Sequence, residues 1–147
     1  MSPKGKKFNQ SFANSLSKQN GINLICGHFE GVDDRLLSTR NIEEISIGDY
    51  VLSGGETAAF VILDAVLRLI PGVLGNKESI KDETFENSLL EYPQFTKPKI
   101  WEGKSVPEVL FSGDHAKIKS WRLSQSEDIT RRQRPDLWEK YKKEKKQ

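Results

Sequence analysis

The chain has 147 residues, 35% hydrophobic and 30% charged, with a net charge of +2, which allows one domain with a real core or a small domain with an appendage. No apolar run reaches the roughly 18 to 20 residues that span a bilayer. A single cysteine, Cys26, excludes an intramolecular disulfide framework and a cysteine-cluster zinc site. The basic N-terminus has no apolar stretch behind it, so we expect no secretory signal, no membrane contact and a cytoplasmic location.

The first elements are predicted from apolar spacing. Phe8, Phe12 and Leu16 recur every four residues, which predicts a helix over 8–19 that ends at Gly21. Residues 22–27, INLICG, are apolar and rich in β-branched side chains, so they predict a buried strand followed by a glycine-containing turn. A strand, a glycine loop and a helix in succession are typical of an α/β domain, in which ligands gather at the carboxyl ends of the strands.

The next segment repeats this pattern. Residues 32–48 predict one or two helical turns and a connection, and DYVLSGG (49–55) predicts a second strand ending in glycines. Residues 56–70 are almost entirely apolar, so this helix should be buried on most sides until Pro71-Gly72 stops it. Two strands make a poor sheet. Either a partner subunit supplies the rest of the sheet, or part of the domain is missing.

The C-terminal part has a different composition. Residues 76–93 are polar and charged, which predicts a linker, and the helices beyond it have Asp114 as a candidate N-cap and Pro135 in a first turn. The three tryptophans of this part, at 101, 121 and 138, predict a small core of its own. From His115 onward, 11 Lys and Arg face 5 Asp and Glu, which indicates either a contact with a polyanion or a solvated helix face.

Gly54-Gly55 is the first motif that bears on function. The pair either turns a corner or lets a ligand approach the backbone. The following residues, ETAA, contain no lysine to hold a phosphate, and no G-x-G-x-x-G is present. We therefore predict a nucleoside-like ligand bound by main-chain groups of three loops, at 2–3, 27–31 and 47–55.

Five blocks carry a family resemblance. In chain order they are CGHFEGVDDR (26–35), SIGDYVLSGGE (46–56), RLIPGVLGN (68–76), LLEYPQFTKP (89–98) and LFSGDHAKIKSWR (110–122). Together they resemble the bacterial tRNA (guanine-N1)-methyltransferases, which are knotted methyltransferases, and the match runs from Ser2 to at least Pro135. Phe29 stands where the family usually has tyrosine, and His28 where arginine is common.

The resemblance implies an α/β domain whose C-terminal part threads a loop into a trefoil knot, an exception to the usual topology. It implies that the knot's loops bind S-adenosylmethionine and that a small all-helical domain follows. The matched cofactor-binding residues are Ser2, Pro3, Gly27, Phe29, Glu30, Gly31, Ile47, Gly48, Tyr50, Leu52, Gly54 and Gly55. The implied domains are 1–75 for the partial knotted domain, 76–94 for a flexible linker and 95–147 for the tRNA-contacting domain.

The resemblance also implies a reaction, which is methylation at N1 of the guanosine on the 3′ side of the anticodon. The residue that accepts the N1 proton is an aspartate in the family. Here the matching position is Glu83, with Asp82 as the alternative. Arg68 matches the arginine that orients the target base, although from the residues alone it could instead pair with Asp64. The matched tRNA contacts are Ser112, Gly113, His115 and Arg122. Mg²⁺ is a second candidate cofactor by resemblance, with no metal-ligating residues predicted.

The family's proteins have roughly a further third of their length before the position of Met1, with the first strands of the sheet and a glycine-rich loop. We therefore expect a shortened chain, from a degraded or mis-started gene or a cloned fragment. Two hypotheses follow: a tRNA methyltransferase that acts as a homodimer or when completed by its missing part, or a non-catalytic remnant that binds RNA through its basic tail.

Overall fold

A computed structural model of the chain describes residues 1–73, 85 and 87–146. These residues fall into two compact units, one within Met1–Lys77 and the other within Glu78–Gln147. The predicted base candidates Asp82 and Glu83, and most of the predicted linker, lie outside the described residues. The two units are described separately below.

The first unit contains one short parallel strand pair and three helices. The elements are β1 (Lys6–Lys7), α1 (Gln10–Leu16), α2 (Asp34–Thr39), β2 (Ile45–Ser46) and α3 (Glu56–Leu67). In the parallel pair, Lys6 lies opposite Ile45 and Lys7 opposite Ser46. Gly5, immediately before β1, lets the two chains approach, because a Cβ there would overlap the backbone of Glu44.

The core of the first unit lies between α1, α3 and β2. Its buried members are Ala13, Ile45, Ile62 and Val66. The predicted stripe of Phe8, Phe12 and Leu16 packs against them, which confirms that apolar face, although α1 itself is shorter than the predicted range 8–19. Asn9 caps α1, since its side chain accepts a 2.9 Å hydrogen bond from the backbone N–H of Phe12.

The two predicted strands are wrong. Within the described residues, 22–27 forms no strand, and 49–55 contains only an isolated bridge between Gly54 and His28. Val51 is 87% exposed, so the apolar run around it covers no core in this chain. Without a neighbouring strand to accept their backbone hydrogen bonds, β-branched residues alone do not make a sheet. The observed strands instead lie at 6–7 and 45–46.

The apolar helix α3 is present but differs from its prediction in two ways. It ends at Leu67 with Arg68 as its C-cap, before Pro71, because Leu69 and Ile70 donate to the carbonyls three residues earlier, of Val66 and Leu67. Only one face is buried, formed by Ala58, Ala59, Ile62 and Val66. Phe60 is 71% exposed, so burial on most sides is wrong for the chain alone.

The second unit contains a hairpin and two helices, so the expectation of an all-helical C-terminal domain is wrong. Strands β3 (Ile100–Trp101) and β4 (Lys104–Ser105) pair antiparallel, a 3-10 turn covers Glu108–Phe111, and α4 (His115–Gln133) and α5 (Pro135–Glu144) follow. Asp114 caps α4 by accepting from the N–H groups of Ala116 and Lys117, and Pro135 occupies the first turn of α5. Both predictions of these helix starts are confirmed.

Polar residues hold the second unit together. Thr130 is fully buried, and its hydroxyl accepts a 2.8 Å hydrogen bond from the N–H of Leu90 while it donates to the carbonyl of Ser126 at 2.7 Å. The prediction of a core formed by three tryptophans is wrong, because Trp101 lies on the hairpin and is 61% exposed.

In the part of the chain that the structure describes, no helix is long and apolar enough to cross a membrane.

Candidate functional site

Three loops of the first unit meet around one cleft. The segment before β1 is joined to β2 by a 2.9 Å hydrogen bond from the N–H of Ser2 to the carbonyl of Ile45. The loop after residue 26 is joined to the start of α3, because the N–H of Gly55 donates to the carbonyl of Gly27 at 3.1 Å. The loops enclose about 270 Å³. The cleft lies where β2 ends, as expected for ligand sites in α/β domains.

All twelve residues predicted to bind a cofactor line this cleft. They come from three stretches separated in sequence by about 20 residues each. They are Ser2, Pro3, Gly27, Phe29, Glu30, Gly31, Ile47, Gly48, Tyr50, Leu52, Gly54 and Gly55.

Gly54 and Gly55 allow the loops to touch, and each does so differently. A Cβ at Gly55 would lie 2.8 Å from the Cα of Cys26 and 3.1 Å from the backbone nitrogen of Gly27. A Cβ at Gly54 would instead lie 2.6 Å from the carboxylate of Glu56 and 2.8 Å from the ring of His28, both of which are the ends of movable side chains. Close approach of backbone to backbone therefore requires glycine most strictly at position 55.

Phe29 has an unusual conformation at the edge of the cleft. Its φ is 53°, in the left-handed region that costs a non-glycine residue roughly 1–2 kcal/mol. Its side chain is fully exposed, at 102% of the reference area. Strained backbone is concentrated at functional sites, so this conformation makes Phe29 a candidate ligand contact.

The charges around the cleft favour a cationic ligand over a phosphate. Among the groups that line it, Glu30, Glu43 and Glu44 carry carboxylates, whereas Lys4 and the N-terminal ammonium of Met1 are positive. Glu43 also pairs with Lys6 at 3.8 Å, so the excess of negative charge is small. A phosphate would be repelled by this excess of carboxylates, and a sulfonium or ammonium group would be attracted. This agrees with the missing lysine after Gly54-Gly55.

His28 and Glu56 form a side-chain contact across the two glycine loops. Nε2 of His28 lies 2.6 Å from Oε1 of Glu56, and both side chains are about half exposed. The hydrogen bond from His28, helped by the backbone N–H of Glu56, holds the pKa of the Glu56 carboxyl below its usual value. The pair thus links residues 28 and 56 beside the Gly54 bridge.

Of the predicted catalytic residues, the structure describes Arg68, which does not line this cleft. Arg68 is exposed and caps the far end of α3, about 18 Å along the 12-residue helix from Gly55. Glu83 and Asp82 lie outside the described residues. Among the residues that are described, no three His, Cys, Asp or Glu side chains come together as metal ligands.

The predicted tRNA contacts lie near the start of α4 in the second unit. Ser112, Gly113 and His115 are exposed and surround the capping residue Asp114. The Asp114 carboxylate already accepts from two N–H groups at 3.1 Å each, and these bonds and Lys117 lower its pKa. Arg122 lies two turns further along α4 and lines a separate groove.

Sequence reasoning missed several residues of both units. In the first, it passed over Glu43 and Glu44 and the His28–Glu56 contact, because nothing in the sequence showed that β2 would border the cleft. In the second it missed Tyr92, although YPQFTKPK (92–99) interleaves aromatic and basic residues, a pattern typical of nucleic-acid surfaces.

Comparison with known proteins gives the family. The family model described as tRNA (Guanine-1)-methyltransferase TrmD matches residues 1–140. The tRNA (guanine-N(1)-)-methyltransferase of Pelagibacter ubique is 77% identical over 143 residues, which are 97% of this chain and 63% of that protein. The proteins of the same name from Bartonella tribocorum and Brucella canis are 58% and 57% identical, over 97% and 96% of this chain and 62% and 58% of their own lengths.

The chain therefore spans about three fifths of the length of the curated relatives it matches. The identities are high over nearly the whole chain, and the family model covers all three cleft loops and most of the second unit. This chain belongs to the tRNA (guanine-1)-methyltransferase family.

Proposed function

We propose that the cleft of the first unit binds S-adenosylmethionine and that the protein transfers its methyl group to N1 of the guanosine on the 3′ side of the anticodon in tRNA. The observation that carries the proposal is the convergence of the three loops around one cleft. The glycine backbone at 54–55 suits a nucleoside approached by main-chain groups, and the surrounding carboxylates suit a sulfonium. The names of the relatives supply the acceptor, which is guanine N1 in tRNA.

The proposed reaction needs a base. S-adenosylmethionine supplies an electrophilic methyl group: the bond from sulfur to methyl breaks with its electrons on sulfur, and a bond from N1 to methyl forms. The proton on N1 has to leave, and we assign its acceptance to the carboxylate of Glu83, with Asp82 as the alternative. Arg68 would orient the target guanine and stabilise the negative charge that develops on the guanine ring.

A homodimer is part of the proposal. The outer face of α3 carries apolar residues that this chain leaves exposed, among them Phe60, Val61 and Leu67. A contiguous exposed apolar face favours an interface. In the proposed dimer, the linker and C-terminal domain of one subunit cover the cleft of the other, which also allows Arg68 to act in a cleft other than its own. The trefoil knot and the division at 1–75, 76–94 and 95–147 belong to the same proposal.

Two further predictions are Mg²⁺, which rests on the resemblance, and a cytoplasmic location, which rests on the residues. Among the described residues, no three His, Cys, Asp or Glu side chains form a cluster of metal ligands. A cytoplasmic location stays a prediction.

The proposal is tested with labelled S-adenosylmethionine and a tRNA transcript that has guanosine on the 3′ side of the anticodon. We expect label in that tRNA and none in a transcript with adenosine there. Glu83→Gln should abolish transfer and leave donor binding unchanged, whereas Asp82→Asn should retain transfer. The opposite pattern assigns the base to Asp82. A folded protein that does not bind the donor contradicts the proposal.

A further inference from the structure

The second unit has a groove that the proposed function does not use, although Arg122, one of its residues, matches a tRNA contact by resemblance. It encloses about 590 Å³ and lies between the segment 92–99, the 3-10 turn and the first half of α4. This volume is within the range of roughly 300–1,000 Å³ typical of small-ligand sites. The side chains that define this basic-aromatic groove are Tyr92, Phe95, Lys97, Lys99, Phe111 and Arg122.

The groove is positively charged. Lys97, Lys99 and Arg122 line it, and none of the described residues that line it is Asp or Glu. This is the opposite of the donor cleft in the first unit, where carboxylates predominate. Nε of Arg122 is buried and has no hydrogen-bond partner among the described residues. A buried unsatisfied donor of a cation calls for an acceptor, and an anionic oxygen satisfies it best.

The same groove presents aromatic faces beside those cations. The guanidinium carbon of Arg122 lies 4.7 Å from the centre of the Tyr92 ring, and Nζ of Lys99 lies 4.8 Å from the centre of the Phe111 ring. Phe95 and Phe111 are about half exposed, and the Phe95 ring lies 6.2 Å from the Trp121 ring between ring centres. Aromatic platforms in a basic groove without acids are the arrangement that binds unpaired nucleotides, because the bases stack while the cations meet the phosphates.

We infer that the basic-aromatic groove binds an unpaired nucleotide of RNA, with its base stacked on the aromatic side chains and its phosphate next to Lys99 and Arg122. The inference deepens the proposed function, since it rests on RNA as the substrate. The inference assigns the RNA contact to Tyr92, Lys99 and the face of α4 that borders the groove. The start of α4 is a poorer phosphate site, because Asp114 already accepts from its N–H groups.

The test is fluorescence anisotropy with the full chain and a fluorescein-labelled single-stranded RNA heptamer, without methyl donor. Tyr92→Leu, Lys99→Gln and Arg122→Gln should each weaken binding about 5-fold or more, as loss of a stacking or phosphate contact does. Tyr92→Phe should bind as the original chain. Lys143→Gln removes the same charge from α5, outside the groove, and should weaken binding by less than about 2-fold.

Salt dependence adds a second readout. Lys99→Gln should lower the slope of log affinity against log salt by about 0.7, the value for one phosphate contact with a single strand. Lys99 is exposed, so this variant folds even if Arg122→Gln does not. The inference is overturned if Lys143→Gln weakens binding as much as Lys99→Gln, if an RNA duplex binds as tightly as the single strand, if poly-glutamate competes as well as RNA, or if the heptamer does not bind.

Donor binding by calorimetry separates this inference from the proposed function. Groove variants should bind S-adenosylhomocysteine as the original chain does, because every residue that lines the donor cleft belongs to the first unit. If the groove binds RNA as predicted but the chain does not bind S-adenosylhomocysteine, the inference holds and the proposed function fails. If donor binding and methyl transfer are intact while groove variants bind RNA normally, the inference alone fails.

Discussion

Gly55→Ala tests how the cleft is built. The backbone at this position has φ −78° and ψ −13°, which any L-residue adopts, so an added methyl causes no conformational strain. The methyl would instead lie 2.8 Å from the Cα of Cys26 and 3.1 Å from the backbone nitrogen of Gly27. Gly55 also donates a hydrogen bond to the carbonyl of Gly27. Relief of the contact therefore separates the two loops and breaks this bond.

The size of the effect follows from these contacts. The atoms that the methyl would meet belong to the backbone and cannot rotate away, so the change resembles overpacking, which costs about 1–3 kcal/mol. The lost hydrogen bond contributes about 1 kcal/mol of that range. For a unit of the size of the first one, Met1–Lys77, each kcal/mol of lost stability lowers Tm by roughly 4–8 °C. If this loss falls on the ligand-bound form and not on the free form, S-adenosylhomocysteine binds roughly 5- to 150-fold more weakly.

Two other glycines provide matched controls, measured by thermal unfolding and by calorimetry with S-adenosylhomocysteine. Gly54→Ala meets only the ends of the His28 and Glu56 side chains, which can swing into solvent, so its loss should be smaller. A Cβ at Gly21 meets nothing, so Gly21→Ala should be neutral or stabilise the protein by up to about 1 kcal/mol. Our description of the cleft is refuted if Gly55→Ala has the Tm and affinity of the original chain, or if the substitutions at 54 and 55 cost the same.

Three further predictions concern the core, the second unit and pH. Ile62→Ala should lower the free energy of unfolding by about 2–5 kcal/mol, because Ile62 is fully buried. Thr130→Val should cost about 1–3 kcal/mol in chemical denaturation, because it leaves the N–H of Leu90 without its acceptor. Because His28 lowers the pKa of Glu56 below 4.5, the stabilisation from this pair is complete above pH 4.5 and is lost as the pH falls through that lower value. Glu56→Gln should remove this part of the acid dependence of S-adenosylhomocysteine binding.

Each of these predictions has its own control. Phe60→Ala truncates an exposed side chain of the same helix and should cost the monomer far less than Ile62→Ala. Thr130→Ser keeps the hydroxyl and should recover most of the stability lost in Thr130→Val. Equal losses in Phe60→Ala and Ile62→Ala would contradict the role given to the burial of Ile62. Equal losses in Thr130→Ser and Thr130→Val would contradict the role given to the hydroxyl's hydrogen bond. An unchanged pH profile in Glu56→Gln would show that the pair does not hold the loops.

The helices were predictable because their signals are local. The stripe of Phe8, Phe12 and Leu16, the capping carboxylate of Asp114 and the ring of Pro135 each act within one or two turns, and all are present. Lys6–Lys7 shows the opposite case. Nothing in two lysines indicates a strand, and they form one only because residues 44–46 lie alongside. Strands two residues long are fixed by tertiary contacts and leave no periodicity in the sequence.

The site shows the same division between local and tertiary information. Two of the loops could be named from the sequence because glycines and the family blocks at 26–35 and 46–56 mark them. The loop at 2–3 follows only from the family match, which extends to Ser2, and all three loops border one cleft. Glu43 and Glu44, which directly precede β2, could not be named, since their position depends on the pairing of β2 with β1. Exposure of Phe60 and Trp101 was also missed, because hydrophobicity predicts burial but does not say whether this chain or a partner covers the residue.

The most direct test of the central claim is an NMR titration of the ¹⁵N-labelled chain with S-adenosylhomocysteine. If the cleft is the donor site, the amide signals that shift should be those of Ser2 and of residues 27–31 and 47–55, with the N–H of Gly55 among them. Signals of α5 should stay in place. Saturable shifts that miss these three loops, or no shifts from a folded chain, would contradict the account.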